Sequence, residues 1–331
     1  ALYAGLGQQI FASADTVAAP DGVQVNGQVL FLYQSGSVYN RVLELQATGE
    51  QLSEEEYLAL TQQTGDLFAI TSIATDTIGD TDLADCTGFA QNELIGELAR
   101  VNRNLVAVII SGNAVAMPWV NEVPAIVEAW YGGTEAGNAI ASVLAGEVNP
   151  SGKLPFTFPV RLEDNPAIAL DAYPGDGKQV EYKEGIFVGY RWNDRERIKP
   201  LFCFGHGLSY TTFEYGKVTA EGRQMGPDGT ITVSVPVKNT GSRAGAEIVQ
   251  LYVSDLKSSL PRPVKELKGF RKITLQPGQE QTVSFTIDRK ALSFYDDTKQ
   301  DWVVEPGAFE ALVGASACDI RGKAAFELTA R

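Results

Sequence analysis

The pattern of apolar and polar positions divides the chain into an N-terminal part that alternates strands with helices and a C-terminal part of strands. Leu105–Ile110 is a continuous apolar run of mostly β-branched residues. Such a run is typical of a strand that helices cover on both faces. Further apolar runs at Ala125–Trp130 and Leu154–Phe158 predict a second buried strand and a third that closes the unit. This order predicts an α/β sandwich with a doubly wound, largely parallel sheet.

The flanking segments extend the same α/β pattern. Glycine at the end of a periodic run and a hydroxyl residue before its start are the usual helix boundaries. Thr134 is accordingly predicted as the N-cap of a helix that ends at Gly146. The other predicted elements are strands at Val29–Tyr33 and Leu67–Ile73, and helices over residues 37–60, Asn92–Val101 and Glu135–Ala145.

From residue 211 onwards the period changes to that of β-strands. Apolar residues alternate with polar ones in two runs, and turn signals such as Pro277–Gly278 separate the short strands. Regularly spaced alternating strands predict an antiparallel β-sandwich. The alternating apolar positions are Ile231, Val233, Val235 and Val237 in one run, and Val283, Phe285 and Ile287 in the other.

Several phrases give the chain a family resemblance from about Leu67 to the C-terminus. Three phrases of the chain resemble the C-terminal α/β-sandwich domain of family 3 glycoside hydrolases. They are MPWVNEVPAIVEAWYGGTEAGNAIASVLAGEVNPSGKLPFTFP, EYKEGIFVGYRW and KPLFCFGHGLSYTTFEY. The fibronectin-III-like domain that follows it in β-glucosidases resembles RPVKELKGF and DWVVEPGAFEALVG. We therefore expect an α/β-sandwich domain over 1–195, a linker over 196–214 and a fibronectin-III/immunoglobulin-like sandwich over 215–331.

The resemblance implies that the chain is the non-barrel part of a retaining β-glucosidase, an enzyme that acts on terminal β-linked glucosides. Retaining enzymes need two carboxyl groups about 5–5.5 Å apart. In the family the nucleophilic aspartate lies on a (β/α)₈ barrel in a phrase like SDW, which this sequence lacks. The expected partners are thus a barrel-bearing chain of the same enzyme and a β-linked glucoside, and the isolated chain should be inactive. The alternative is a non-catalytic carbohydrate-binding or structural protein.

The general acid/base residue is predicted to lie in the loop Thr75–Gly88. This loop follows a strand's carboxyl end, where open α/β sheets bind ligands. The family's general acid/base glutamate would fall on Ile78, which cannot transfer a proton. Asp76 and Asp80 flank that position and are the first candidate substitutes, and the other carboxylates of the loop that could substitute are Asp82 and Asp85. The alternative is that these aspartates cap turns and the following helix.

Aromatic and basic residues elsewhere are candidates for sugar binding. Trp130 ends the second predicted strand. Tyr190, Arg191 and Trp192 end an alternating segment, residues 180–192, that predicts another strand. Such side chains can stack on a sugar or hydrogen-bond to it, and the alternative for each is a packing role.

The composition of the chain excludes some classes of binding partner and cofactor. The net charge of −14 argues against nucleic acid and anionic membranes, and it is compatible with a neutral sugar. No apolar run approaches the length of a membrane span, and the first residues do not resemble a signal peptide, so a soluble protein is expected and its compartment stays open. The three cysteines are predicted to be free thiols, the lone histidine, His206, is predicted to be structural, and no metal or cofactor is expected. The sequence does not decide whether the barrel-containing complex forms a homo-oligomer.

Overall fold

The computed structural model describes residues 30–32, 68–71, 91–175 and 178–330. The chain divides into two compact units, Ala1–Val148 and Asn149–Arg331. The helix predicted over residues 37–60 lies outside the described residues. The domain ranges inferred from the family resemblance stay predictions.

The first unit contains a four-stranded sheet in the order β1–β2–β3–β4. The β1 strand is antiparallel to β2, while β2, β3 and β4 run parallel in register, which confirms a largely parallel sheet. All of β3 is buried, as its apolar run predicts, but β4 has one exposed and three half-buried residues. The prediction of a second fully buried strand is therefore wrong, because β4 lies at the edge of the described sheet. The strands are β1 Leu30–Leu32, β2 Phe68–Thr71, β3 Leu105–Ile109 and β4 Ala125–Glu128.

Two helices accompany this sheet, α1 (Gln91–Val101) and α2 (Ala136–Leu144). The first confirms the helix predicted over Asn92–Val101, and it buries Ile95 and Leu98. The second begins later than predicted, because a 3₁₀ turn over Gly133–Glu135 precedes it and the side chain at its N-cap makes no capping bond. The prediction that Thr134 caps this helix is therefore wrong.

The end of α2 is as the sequence predicts. Gly146 has φ +74°, a left-handed value that glycine adopts without steric penalty. Its N–H donates to the carbonyl of Val143 at 3.0 Å, inside the last turn. Ile140 of this helix packs with Val106 and Val108 of β3 in one apolar cluster.

Leu154–Phe158 is not a strand of the parallel sheet, so that prediction is wrong. The segment belongs to the second unit and runs antiparallel to residues 202–206. The N–H of Leu154 donates to the carbonyl of His206, and the N–H of Phe158 to that of Phe202, both at 2.8 Å. The apolar run predicts burial correctly, since Phe158 is 1% exposed, but it does not specify the pairing partner.

Residues 180–192 do not form the predicted strand either. Residues 180–189 are irregular with turns, residues 190–192 begin a helix, and both Gly185 and Gly189 have φ near +58°. Left-handed residues at two places interrupt an extended strand, which explains the error. The helices of this region are a 3₁₀ turn at Leu162–Asp164, α3 at Pro166–Ala169 and α4 at Tyr190–Glu196.

The rest of the second unit is the predicted β-sandwich. One sheet has the order β10–β9–β14–β15–β7, the other contains β11–β8–β5 with β6 also on β8, and β12 pairs with β13 in a separate ribbon. The alternating apolar residues of β8 and β11 are buried in a common core, which confirms the interpretation of that pattern. The elements are β5 Phe213–Tyr215, β6 Thr219–Ala220, β7 Gln224–Met225, β8 Thr230–Asn239, β9 Gly245–Asp255, β10 Glu266–Leu275, β11 Glu280–Asp288, α5 Arg289–Leu292, β12 Phe294–Asp296, β13 Asp301–Val303, β14 Gly307–Gly314 and β15 Ile320–Leu328.

A disulfide joins Cys203 to Cys318, so the prediction of free thiols is wrong for these two residues. Their Cα atoms lie 6.0 Å apart although 115 residues separate them in sequence. The N–H of Ala317 donates to the carbonyl of Phe204 at 2.9 Å, which brings the two segments together. Sequence spacing carries no information about such a long-range approach. Cys86 lies outside the described residues.

Candidate functional site

The carboxyl ends of the parallel strands in the first unit form the candidate edge for ligand binding. Ligands of open α/β sheets bind outside these ends. Residues 111–113 follow β3, residues 129–132 follow β4, and the N–H of Ala129 donates to the carbonyl of Ile109 at 2.8 Å. This bond continues the pairing of the two strands one residue beyond β4, so both segments leave the sheet side by side.

Glu128, the last residue of β4, carries an unusual carboxyl group. Its Oε1 accepts the N–H of Trp130 at 3.2 Å. Its buried Oε2 has no hydrogen-bond partner among the described residues. Burial raises the pKa of Glu128 to about 7, against the smaller opposing effect of the backbone N–H groups of Trp130 and Ser111. A carboxyl group with such a pKa can hold its proton near neutral pH, which is typical of groups that serve as acids.

Trp130 and Tyr131 follow Glu128 in conformations that the sequence does not predict. Trp130 is half-buried with φ +52°, so it is not the last residue of a buried strand. A left-handed tryptophan stores about 1–3 kcal/mol of strain, and such strain clusters at functional sites. Tyr131 is 67% exposed. Its ring lies close to Gly112, where an added Cβ would come within 2.7 Å of the tyrosine Cε2.

The strand that precedes the aspartate loop in sequence, β2, belongs to the same sheet. The β2 strand pairs in parallel with β3, with Phe68 opposite Leu105 and Thr71 opposite Val108. The carboxyl ends of β2 and β3 therefore lie at the same edge of the sheet. Asp76 and Asp80 lie outside the described residues, so their acid/base role stays a prediction.

Tyr190 lies in the second unit, at the start of α4. Its hydroxyl oxygen accepts the N–H of Leu267 at 2.9 Å. Its ring centroid is 5.1 Å from that of Phe204 and 5.9 Å from that of Tyr252. The side chain is thus held at both its ring and its hydroxyl, and these contacts join α4 to β10.

Arg191 and Trp192 also make contacts inside this unit. Arg191 Nη2 lies 3.5 Å from Glu266 Oε1. Trp192 is 4% exposed, the guanidinium of Arg195 lies 4.9 Å from its ring centroid, and its indole N–H has no acceptor in the part of the chain that the structure describes. Sugar binding by Trp130, Tyr190, Arg191 and Trp192 stays a prediction, and the observed contacts give the last three a packing role as well.

A charged cluster between α4 and the start of β10 escaped the sequence analysis. Lys265 Nζ lies 2.5 Å from Asp194 Oδ2, and only 9% and 21% of their side chains are exposed. Burial alone would raise the pKa of Glu266, but Lys268 and Arg262 hold that pKa below its usual value. The phrase RPVKELKGF, with three basic residues around one glutamate, is the sequence signal that could have indicated such a cluster.

A small cavity beside α4 cannot hold a sugar. Its volume is about 40 Å³, and its lining includes Thr157, Tyr190 and the disulfide Cys203–Cys318. The buried hydroxyl of Thr157 has no hydrogen-bond partner within the described ranges. A cavity of this volume suits one or two waters.

The described residues hold no group of three or more His, Cys, Asp and Glu side chains that could bind a metal ion. His206 stacks on Phe202, with ring centroids 5.4 Å apart, and burial lowers its pKa. These contacts agree with the structural role predicted for this histidine. None of the helices in the described ranges is long and apolar enough to cross a membrane.

Comparison with known proteins identifies two domain types in the chain. The profile of the glycosyl hydrolase family 3 C-terminal domain matches residues 24–190, about half of the chain. The profile of the fibronectin type III-like domain matches residues 247–317.

Similar proteins and structures are β-glucosidases. A β-glucosidase of Bacteroides ovatus is 58% identical over 241 residues, which cover 72% of this chain and 32% of that protein. Thermostable β-glucosidase B of Acetivibrio thermocellus is 53% identical over 230 residues, or 70% of this chain and 30% of that protein. Among solved structures, β-glucosidase 3B from Thermotoga neapolitana in complex with glucose matches with a TM-score of 0.72 and 31% sequence identity. The match covers 88% of this chain and 43% of the Thermotoga chain. The chain thus spans about a third of the length of these curated relatives.

Proposed function

Because the chain belongs to glycosyl hydrolase family 3, we propose that it supplies the non-barrel part of a retaining β-glucosidase acting on terminal β-linked glucosides. The observation that carries the proposal is the match of two domain types in the family's order, together with relatives that are named β-glucosidases. The acidic chain and the buried, proton-holding carboxyl of Glu128 at the sheet edge are compatible with a neutral sugar substrate.

In this proposal two parts of the enzyme supply different residues of the active site. A (β/α)₈ barrel, carried by sequence beyond this one or by a second chain, supplies the nucleophilic aspartate. This chain contacts the barrel through the loop Thr75–Gly88 and through residues 181–192. Asp76 and Asp80 are the proposed acid/base candidates, since a carboxyl buried against the barrel would acquire the raised pKa that protonating a leaving group requires.

The first experiment compares the chain alone with the chain joined to its barrel. The purified chain should not hydrolyse aryl β-glucosides, because it lacks the nucleophile. Adding the barrel, as the full-length product or as a separate polypeptide, should restore turnover. Robust hydrolysis by the purified chain would overturn the proposal, and so would failure of the barrel-containing assembly on every β-glucoside tried.

A second experiment assigns the acid. Asp76→Asn and Asp80→Asn are made singly in the barrel-containing enzyme, with Asp228→Asn, at an exposed turn outside this loop, as the control. Loss of the general acid should reduce turnover by about 10²–10⁴-fold without affecting assembly. Near-normal turnover in both variants would exclude these aspartates and place the acid elsewhere.

A further inference from the structure

Two exposed aromatic side chains face each other on the ribbon of β12 and β13. Tyr295 and Trp302 are directly opposed in the antiparallel register, with ring centroids 5.9 Å apart and ring planes at 73°. They are 51% and 65% exposed, whereas Trp119 and Trp192 are only 2% and 4% exposed. Large aromatic side chains are rarely left this open together unless the surface is used.

The ribbon that carries the pair is fixed at its turn. The carboxylate of Asp296 accepts the N–H and the hydroxyl of Thr298 at 3.0 and 2.6 Å, and the N–H of Lys299 at 3.2 Å. Lys299 Nζ lies 2.7 Å from the other oxygen of the same carboxylate. Gln300 completes the turn with φ +53°.

The ribbon is also fixed at its base. The guanidinium of Arg262 lies 5.2 Å from the ring centroid of Phe294. Just after the ribbon, Glu305 accepts bonds from both the N–H and the hydroxyl of Ser259. The aromatic pair is therefore presented by a pre-organised element, so little conformational entropy is lost when a ligand binds it.

We propose that the aromatic ribbon, defined by Tyr295 and Trp302, is a surface binding site for a pyranose ring of a neutral β-linked glucan. The choice of glucan rests on the proposed function, but the site does not depend on hydrolysis. An aromatic side chain combines a large apolar face with a polar tip, which suits the apolar C–H face and the hydroxyl rim of a pyranose. Exposed Asp297 and Gln300 in the adjoining turn can hydrogen-bond to those hydroxyls.

Charge and size favour a small neutral ligand over other occupants. Residues 294–303 carry three aspartates and one lysine, a formal charge of −2, within a chain of net charge −14. This sign disfavours nucleic acid and anionic membranes. The exposed area of the pair is on the order of 250 Å², since each such side chain can bury 150–250 Å². That is well below the ~800 Å² that each partner contributes to a stable protein interface, and it matches one or two sugar rings.

The test is a binding titration on the purified chain with cellotetraose and laminaritetraose. Trp302 is the most exposed tryptophan of the described residues, so fluorescence should change on binding, and calorimetry gives the affinity. We expect a Kd on the order of 1 mM, little affected by salt because the ligand is neutral. Trp302→Ala and Tyr295→Ala should each weaken binding at least tenfold, while Trp302→Phe should retain part of it.

Phe270→Ala is the matched control, because Phe270 is a 64% exposed aromatic on β10 and not on the ribbon. It should leave the affinity unchanged. The proposal is overturned if neither oligosaccharide binds up to about ten times the expected Kd, or if Trp302→Ala and Tyr295→Ala bind like the parent chain while folded by circular dichroism. Since the readout is binding without turnover, a failure of the proposed hydrolysis would leave this result unaffected.

Discussion

Replacing Glu128 with glutamine should remove a pH dependence of stability from the first unit. Burial raises the pKa of Glu128 from an ordinary 4.5 to about 7. Between these two values the folded state binds the proton and the unfolded state has released it. The free energy of unfolding therefore falls as pH rises through this window, and above pH 7 the full cost of burying the charged carboxylate is present. Below pH 4.5 both states are protonated and this cost vanishes.

The size of the effect follows from the two pKa values. A difference of about 2.5 corresponds to roughly 3 kcal/mol, at 1.36 kcal/mol for each unit. Because the side chain is partly exposed, solvent screening reduces the expected contribution to about 1–3 kcal/mol. Glutamine keeps an oxygen that can accept the N–H of Trp130 but carries no charge at any pH. Glu128→Gln should therefore be more stable than the parent chain by about that amount above pH 7, and the advantage should vanish towards pH 4.5.

Two measurements check this prediction, urea unfolding across about pH 4.5–8 and amide hydrogen exchange of β3 and β4 over the same range. Amide hydrogen exchange reports the opening free energy of each strand separately, so it measures the stability of β3 and β4 independently of the rest of the chain. Glu122→Gln is the control, since Glu122 is an exposed carboxyl in the turn before β4. A parent chain and a Glu128→Gln variant with the same dependence on pH would refute the reasoning, because the buried carboxyl would then ionise as it does in the unfolded chain.

Three further predictions concern stability, each measured by urea unfolding. Cys203→Ser should cost about 4–5 kcal/mol, because the bridge closes a loop of 115 residues, and an unchanged midpoint would contradict this. Lys265→Met leaves a mostly buried Asp194 unpaired and should cost about 3–5 kcal/mol. The control Lys323→Met breaks a pair whose lysine is 63% exposed and should cost under about 1 kcal/mol, so equal losses would be inconsistent with burial as the cause. Trp130→Gly should be more stable than Trp130→Ala by about 0.5–1 kcal/mol, because glycine adopts φ +52° without strain, and the reverse order would disprove strain at this position.

Local periodicity predicts the elements whose burial pattern is regular. The alternation in β8 and β11 matches the buried face of the sandwich, and the apolar run of β3 matches a strand with every residue buried. Gly146 ends α2 because only its own φ has to be left-handed. In these cases the signal and its structural consequence lie within the same few residues.

The errors occur where the decisive contact is distant in sequence. Leu154–Phe158 is apolar enough for a sheet strand, but its hydrogen bonds go to residues 202–206. The pairing of Cys203 with Cys318 depends on the same long-range approach. Glu128 is the residue of the candidate site that sequence reasoning missed. The apolar run Ala125–Trp130 predicts burial of the whole strand, but β4 is only half-buried at Glu128, and the enclosure of its Oε2 depends on contacts that the run does not specify.

The contacts between α4 and β10 connect the sandwich to the helix that carries Tyr190, Arg191 and Trp192, the residues predicted to bind sugar. Tyr190, Arg191 and Asp194 project from one short helix and meet Leu267, Glu266 and Lys265, three consecutive residues of the chain entering β10. One of these contacts is a hydrogen bond to the backbone, and the other two are ion pairs with most of their area buried. Since three side chains of α4 hold three consecutive residues, α4 cannot shift along β10 without breaking all of these contacts at once. The start of β10 therefore fixes the position of α4.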